Sequence, residues 1–123
     1  MSEWQMPPEW AEHAATWMGF PTGAYDTSGI TDDDAFTAWS TVANSISEHE
    51  QVNMLCHPDQ ISIATRKLSS AITLHSFEID DAWLRDTGPT FVCKNGALGG
   101  IDWVFNGWGD HTAFDWHQDA KVA

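Results

Sequence analysis

Two short apolar-rich runs, Val52 to Leu55 and Ile72 to Phe77, bracket a stretch in which Ile61, Ala64 and Leu68 recur at helical spacing. Runs of this length suit strands, whereas a recurrence every three to four residues marks one face of a helix. His57 and Pro58 end the first run and separate it from the helix. Strand, helix and strand in succession exclude an all-helical or all-strand fold and predict the α/β class.

The flanks carry the same alternation. Pro7 and Pro8 forbid an early helix, and the stretch from Pro7 to Phe20 closes on apolar residues suited to a strand. Pro21 to Ile30, rich in Thr, Gly, Ser and Asp, is expected to be a loop. Thr31 with Asp34 three residues on has the form of a capping box with Asp in place of Glu, and Phe36, Trp39, Ala43 and Ile46 then follow at helical spacing. The acidic run Asp32 to Asp34 is the favourable charge for the first turn of that helix. Asn95 and Gly96, between Thr90–Cys93 and Ala97–Phe105, predict a hairpin because both residue types tolerate positive φ. Phe114 to Asp119 resembles the start of a further helix, so the chain's end is expected to be a truncation. There is no clear internal repeat.

Apolar residues make up 42% of the 123-residue chain, enough for the core of one small domain. No apolar run nears the ~18 residues of a membrane helix, and Met1 to Phe20 lacks the pattern of a secretory signal. A cytoplasmic setting is expected. With a net charge of -13, binding to a phosphate backbone is disfavoured, while small cations are attracted. Cys56 and Cys93 fit neither a disulfide scaffold nor zinc-ligand spacing, and both are expected to be reduced, buried structural thiols. Eight tryptophans are many for this length, and most are expected in the core or at an interface.

Asp80, Asp81, Trp83, Arg85 and Asp86 crowd together just before the turn Thr87-Gly88-Pro89. If Trp83 and Asp86 lie at the mouth of a strand and its turn, they offer a flat π face and a carboxylate. A guanidinium uses both, pairing through its planar fork of N–H donors and stacking through its face. Two alternatives stay open. In one, Arg85 pairs with a nearby carboxylate, Trp83 is core and Asp86 caps the turn. In the other, Asp80, Asp81 and Asp86 hold magnesium.

A resemblance adds to these readings. Four pieces carry it: Met6-Pro7-Pro8-Glu9-Trp10 with His13; Thr16-Trp17-Met18-Gly19-Phe20-Pro21; Asp80 to Val92; and Asp102 to Gly109. In this order they resemble the amino-terminal third of agmatine deiminases, guanidine-modifying enzymes related to bacterial peptidylarginine deiminases. The resemblance implies an α/β propeller of roughly fivefold pseudosymmetry, of which residues 1–123, as a partial catalytic domain, form an amino-terminal portion of about two blades. By itself such a portion is expected to be poorly stable.

The resemblance also implies hydrolysis of agmatine to N-carbamoylputrescine and ammonia through a cysteine thiouronium intermediate, without metal or cofactor. It makes Asp86 a guanidinium-binding carboxylate with a catalytic role and Trp83 the aromatic residue beside that group. Asp80 is carried to the far end of the substrate, where an acid suits the ammonium of agmatine. Trp17 and Trp108 either shape the pocket or belong to the core. The family's nucleophile, histidine and second acidic residue have no counterpart here, and Cys56 and Cys93 do not match. Where relatives commonly continue with a glycine after Trp108-Gly109, this chain has Asp110-His111. His111 and His117 do not have metal-ligand spacing. Peptidyl arginine as substrate, or guanidinium binding without turnover, are the other readings, and a homo-oligomer is an open expectation.

Overall fold

The computed structural model of the chain describes residues 3–23, 29–110 and 113–123. Ala24 to Ser28 of the expected loop, and His111, lie outside the described residues.

Three strands, β1 (Ala15–Gly19), β2 (Gln51–Cys56) and β3 (Thr73–Ser76), form a parallel sheet in the order β1-β2-β3. Parallel neighbours need crossover connections, which are the helices α1 (Asp32–Ser47) and α2 (Ile61–Lys67). Thr31 caps α1 as its sequence implies: its hydroxyl accepts the Asp34 N–H at 3.2 Å, and the Asp34 carboxylate accepts the Thr31 N–H at 3.1 Å. The exchange satisfies two N–H groups that the first turn leaves without helical partners.

Both helices pack on one face of the sheet. Phe36 and Ala43 of α1 and Ala64 of α2 join Phe20, Val52, Met54, Cys56 and Ile72 in one buried cluster. Phe20 and Phe36 stack with ring centroids 5.4 Å apart. Asn44 ties the helices together, donating to the Lys67 carbonyl at 3.0 Å and accepting the Ser69 N–H at 2.7 Å. On the opposite face of the sheet Trp17 stacks on His75, and His75 Nε2 shares a 2.9 Å hydrogen bond with Asn53 Oδ1.

The predicted hairpin is present as β4 (Thr90–Lys94) and β5 (Ala97–Ile101), paired antiparallel. Asn95 and Gly96 turn it with φ of 50° and 80°, as a two-residue turn with both central residues at positive φ requires. Gln5 bridges to the outer edge of β4 through two backbone hydrogen bonds with Cys93. The second strand ends at Ile101, short of the expected Phe105, because residues 102–106 leave the ladder. The expected helix at Phe114 to Asp119 is likewise reduced to a single 3₁₀ turn at Asp119–Lys121.

None of the eight tryptophans, all among the described residues, is buried. Of the two settings expected for them, core or interface, the structure sets aside the core. The interior of so small a sheet is filled by Phe, Val, Met and Ile, while Trp4, Trp10, Trp103 and Trp108 belong to the amino-terminal arm and the region around the hairpin. No helix among the described residues is long and apolar enough to cross a membrane.

Phe20→Ala should lower unfolding stability by about 3–5 kcal/mol in denaturant titration, the usual range for emptying a fully buried phenylalanine site. Trp10→Ala, at a residue 87% exposed, should change it by no more than about 0.5 kcal/mol.

Candidate active site

The candidate residues sit where the parallel strands end. β3 gives way at Phe77, whose N–H bonds the Cys56 carbonyl at 3.0 Å. The chain then passes the buried Ile79 and crosses beneath the carboxyl end of β1. Gly19, the last residue of β1, makes room for it: a Cβ there would lie 2.5 Å from Leu84 Cδ1 and 3.0 Å from Ala82 Cα. Clefts outside the carboxyl ends of parallel strands are where open α/β sheets bind ligands.

Leu84 to Thr87 form a single helical turn, α3, rather than the mouth of a strand. Trp83, with a non-helical ψ of 57°, is the cap that precedes it, and Asp86 is its third residue. Gly88 ends α3 with its N–H on the Leu84 carbonyl at 2.8 Å, so close that a Cβ at this position would sit 2.7 Å from that oxygen. The buried Thr87 donates its hydroxyl to the Trp83 carbonyl at 3.2 Å. The turn is thereby held from both ends.

Trp83 and Asp86 are both exposed, Trp83 by 44%. The Trp83 indole N–H donates to Asp81 Oδ2 at 2.8 Å, and its ring stands perpendicular to that of Trp39 with centroids 6.3 Å apart. The core placement of Trp83 is therefore set aside. Arg85 does pair with a carboxylate, Glu9, at 2.8 Å, but both partners are exposed and such a pair adds little stability. The carboxylate of Asp86 faces the Trp108 indole N–H at 3.5 Å, a long contact that leaves most of its acceptor capacity open to solvent or a ligand.

Trp108 comes to Asp86 through an unusual backbone. Gly107, Trp108, Gly109 and Asp110 all have positive φ, at 61°, 55°, 104° and 60°. Each non-glycine residue in this left-handed conformation costs about 1–2 kcal/mol. Asn106 offsets part of the cost, its carbonyl accepting the Asp110 N–H at 2.7 Å and its side chain the Gly109 N–H at 3.1 Å. Gly107 is further required because the Trp116 ring lies against it. The Trp108 ring meets Phe105 edge to face at a 5.1 Å centroid distance. Trp17 lies on the open sheet face beside His75, half exposed.

Asp80 is engaged differently from its neighbours. Its Oδ2 accepts the backbone N–H groups of Gln118 at 2.7 Å and Asp119 at 3.3 Å, and its carbonyl accepts the Thr22 hydroxyl at 2.7 Å. Asp119, which no sequence pattern singled out, returns the contact: its Oδ1 accepts the N–H groups of Asp80 at 2.8 Å and Asp81 at 3.2 Å. Burial pushes the Asp119 carboxyl up from its ordinary 3.8 to about 6; the two N–H bonds oppose the rise and the carboxylates of Asp80 and Asp81 add to it.

Cys56 is buried at the end of β2, and burial pushes its thiol up from 9.0 to about 11, so it stays protonated and unreactive near neutral pH. Cys93, expected to be buried like Cys56, is instead an exposed thiol on the hairpin, because its side chain points away from the partly covered face of β4. His117 is exposed and stacks on Trp116.

Similarity to known proteins defines the class to which this arrangement belongs. Residues 5–123 match the family described as Porphyromonas-type peptidyl-arginine deiminase, and the chain belongs to that family. Among its relatives, the agmatine deiminase of Stutzerimonas stutzeri is 40% identical over 123 residues, a match covering 96% of this chain and 33% of the relative. That of Ectopseudomonas mendocina is 39% identical over 125 residues, with the same coverage of both. The solved agmatine deiminase of Enterococcus faecalis superposes with a TM-score of 0.83 at 32% identity, over 98% of this chain and 34% of that one. The expected α/β fold is thus the fold of these enzymes, and the chain spans about a third of their length.

A carboxyl whose folded pKa is raised favours the protonated state, so its contribution to stability is complete below about pH 3.8 and is lost as the pH climbs through about 6. Parent and Asp119→Asn, compared by denaturant unfolding from pH 4 to pH 7, should diverge over that window, with the parent losing ground as the pH rises. A difference independent of pH would contradict the assignment.

Proposed function

We propose that the protein to which this chain contributes hydrolyses agmatine to N-carbamoylputrescine and ammonia, with Asp86 orienting the guanidinium and Trp83 covering one of its faces. The observation that carries this reading is the exposure of an indole and a carboxylate three residues apart, one capping a helical turn and one within it, in a chain of net charge -13 whose relatives are agmatine deiminases. A bidentate carboxylate holds the planar cation in one orientation, and the indole face adds a cation–π attraction of about 0.5–2 kcal/mol.

In the proposed reaction a cysteine thiolate forms a bond to the guanidinium carbon. One C–N bond then breaks, ammonia leaves with a proton delivered by a histidine, and water releases the thiolate as the carbamoyl product forms. Cys56 is unsuited to this part, because its thiol is buried and held protonated. The nucleophile, the histidine and a second acid are assigned to the length that the relatives have beyond this match. The 123 residues alone are proposed to bind guanidinium without turning it over. Asp80, already committed through Oδ2 to backbone N–H groups, serves first to hold the segment and adds negative charge for the ammonium end of the substrate.

The reading extends to a cytoplasmic enzyme of putrescine formation that acts on a small cation rather than on nucleic acid or membrane, with self-association left to measurement. Peptidyl arginine is the competing substrate, favoured by the family's own description. In a protein carrying this chain together with the remaining length of its relatives, Asp86→Ala should cut agmatine turnover by about a hundredfold or more without unfolding it. Near-parental product formation would refute the role of Asp86. Faster turnover of arginine peptides than of agmatine would transfer the activity to the peptidyl substrate.

A further inference from the structure

We infer that Asp81 and Asp119 are positioning residues for Trp83, acting in series to fix the plane of its indole ring. The inference rests on the proposed role of Trp83 as the face on which a guanidinium lies. Asp119 is 2% exposed and comes from a segment 39 residues beyond Asp80. Its Oδ1 accepts two successive backbone N–H groups, those of Asp80 and Asp81, and Asp80 Oδ2 accepts the N–H groups of Gln118 and Asp119 in return. The exchange leaves the backbone at Asp81 little freedom. Asp81 then commits its own carboxylate to its two successors in the chain: Oδ1 accepts the Ala82 N–H at 2.7 Å and Oδ2 the Trp83 indole N–H at 2.8 Å.

An indole has two side-chain torsions, and a bond to its single N–H restrains both. Trp39, perpendicular to the ring, restrains it from a second direction. A half-exposed tryptophan without these restraints would sample several rotamers and would have to be immobilised when a ligand stacks on it. The anionic acceptor on the indole N–H also pushes electron density into the ring and deepens the negative face that attracts a cation.

The test uses the full 123-residue chain labelled with ¹⁵N, whose indole N–H resonances are resolved individually, with Trp83 assigned from Trp83→Phe. Asp81→Asn can keep the Ala82 bond but cannot accept both N–H groups, so the Trp83 indole signal should move upfield or broaden while those of Trp17 and Trp103 stay in place. Asp119→Ala, which does not touch Trp83, should move the same signal, and Asp119→Asn, which retains an acceptor oxygen, should restore it. If Asp119→Ala does not fold, Asp119→Ser takes its place, and a Trp83 signal that it leaves unmoved would remove Asp119 from the series. Agmatine, titrated into the same samples, should bind about fivefold more weakly to Asp81→Asn than to the parent, the scale of immobilising one more side chain on binding. A Trp83 signal unmoved by Asp81→Asn, or displacement of all the indole signals together, would overturn the inference. Failure of the parent to bind agmatine would instead count against the proposed function, since the indole signals report the positioning without any ligand.

Discussion

Two carboxylates and four backbone N–H groups decide where the candidate site lies: Asp119 takes the N–H groups of Asp80 and Asp81, and Asp80 takes those of Gln118 and Asp119. Bonds from N–H to an ionised acceptor are roughly twice as strong as neutral ones. Here they join two segments far apart in sequence, so their effect is on arrangement as much as on stability. The cost is a buried acid with two acidic neighbours, seen in the raised titration of Asp119. Trp83, α3 and Asp86 all lie within a few residues of this clasp.

The sheet supplies the other half of the arrangement. Parallel strands end together, and the segment leaving β3 passes across the end of β1, where Gly19 admits the Leu84 side chain. Phe20, next in sequence, is buried in the core beneath, stacked on Phe36 of α1. The core and the candidate site are therefore joined through adjacent residues. Across from α3, a left-handed turn sets Trp108 against Asp86 and retains two non-glycine residues in a conformation that costs them free energy. Backbone strain of this kind persists where surrounding contacts over-determine it, here the Asn106 bonds and the rings of Phe105 and Trp116.

Local chemistry was legible in the sequence, and contact across distance was not. The Thr31 capping box, the Asn95-Gly96 turn, the two crossover helices and the strands between them follow from short-range rules, and the structure has each in its expected place. That Trp83 and Asp86 flank a turn was also within reach, although the turn is a helical one that Trp83 precedes rather than a strand end. Of the core and interface settings that the tryptophan content suggested, the core does not hold, since burial depends on what the sheet can cover and these rings lie outside that area. Asp119 was invisible because nothing in its own neighbourhood distinguishes it; its importance comes from residues 38 and 39 positions away. The left-handed turn was hidden too, as Trp108 is a residue type that seldom adopts it.

The central claim is that the Asp80–Gly88 segment is clasped so as to present a carboxylate and an indole face to one planar cation. A crystal structure of the chain with agmatine tests it most directly. The account predicts the guanidinium paired with the Asp86 carboxylate and stacked on Trp83, with the indole N–H still on Asp81. A guanidinium bound elsewhere on the chain, or an indole that leaves Asp81 to receive it, would contradict the account.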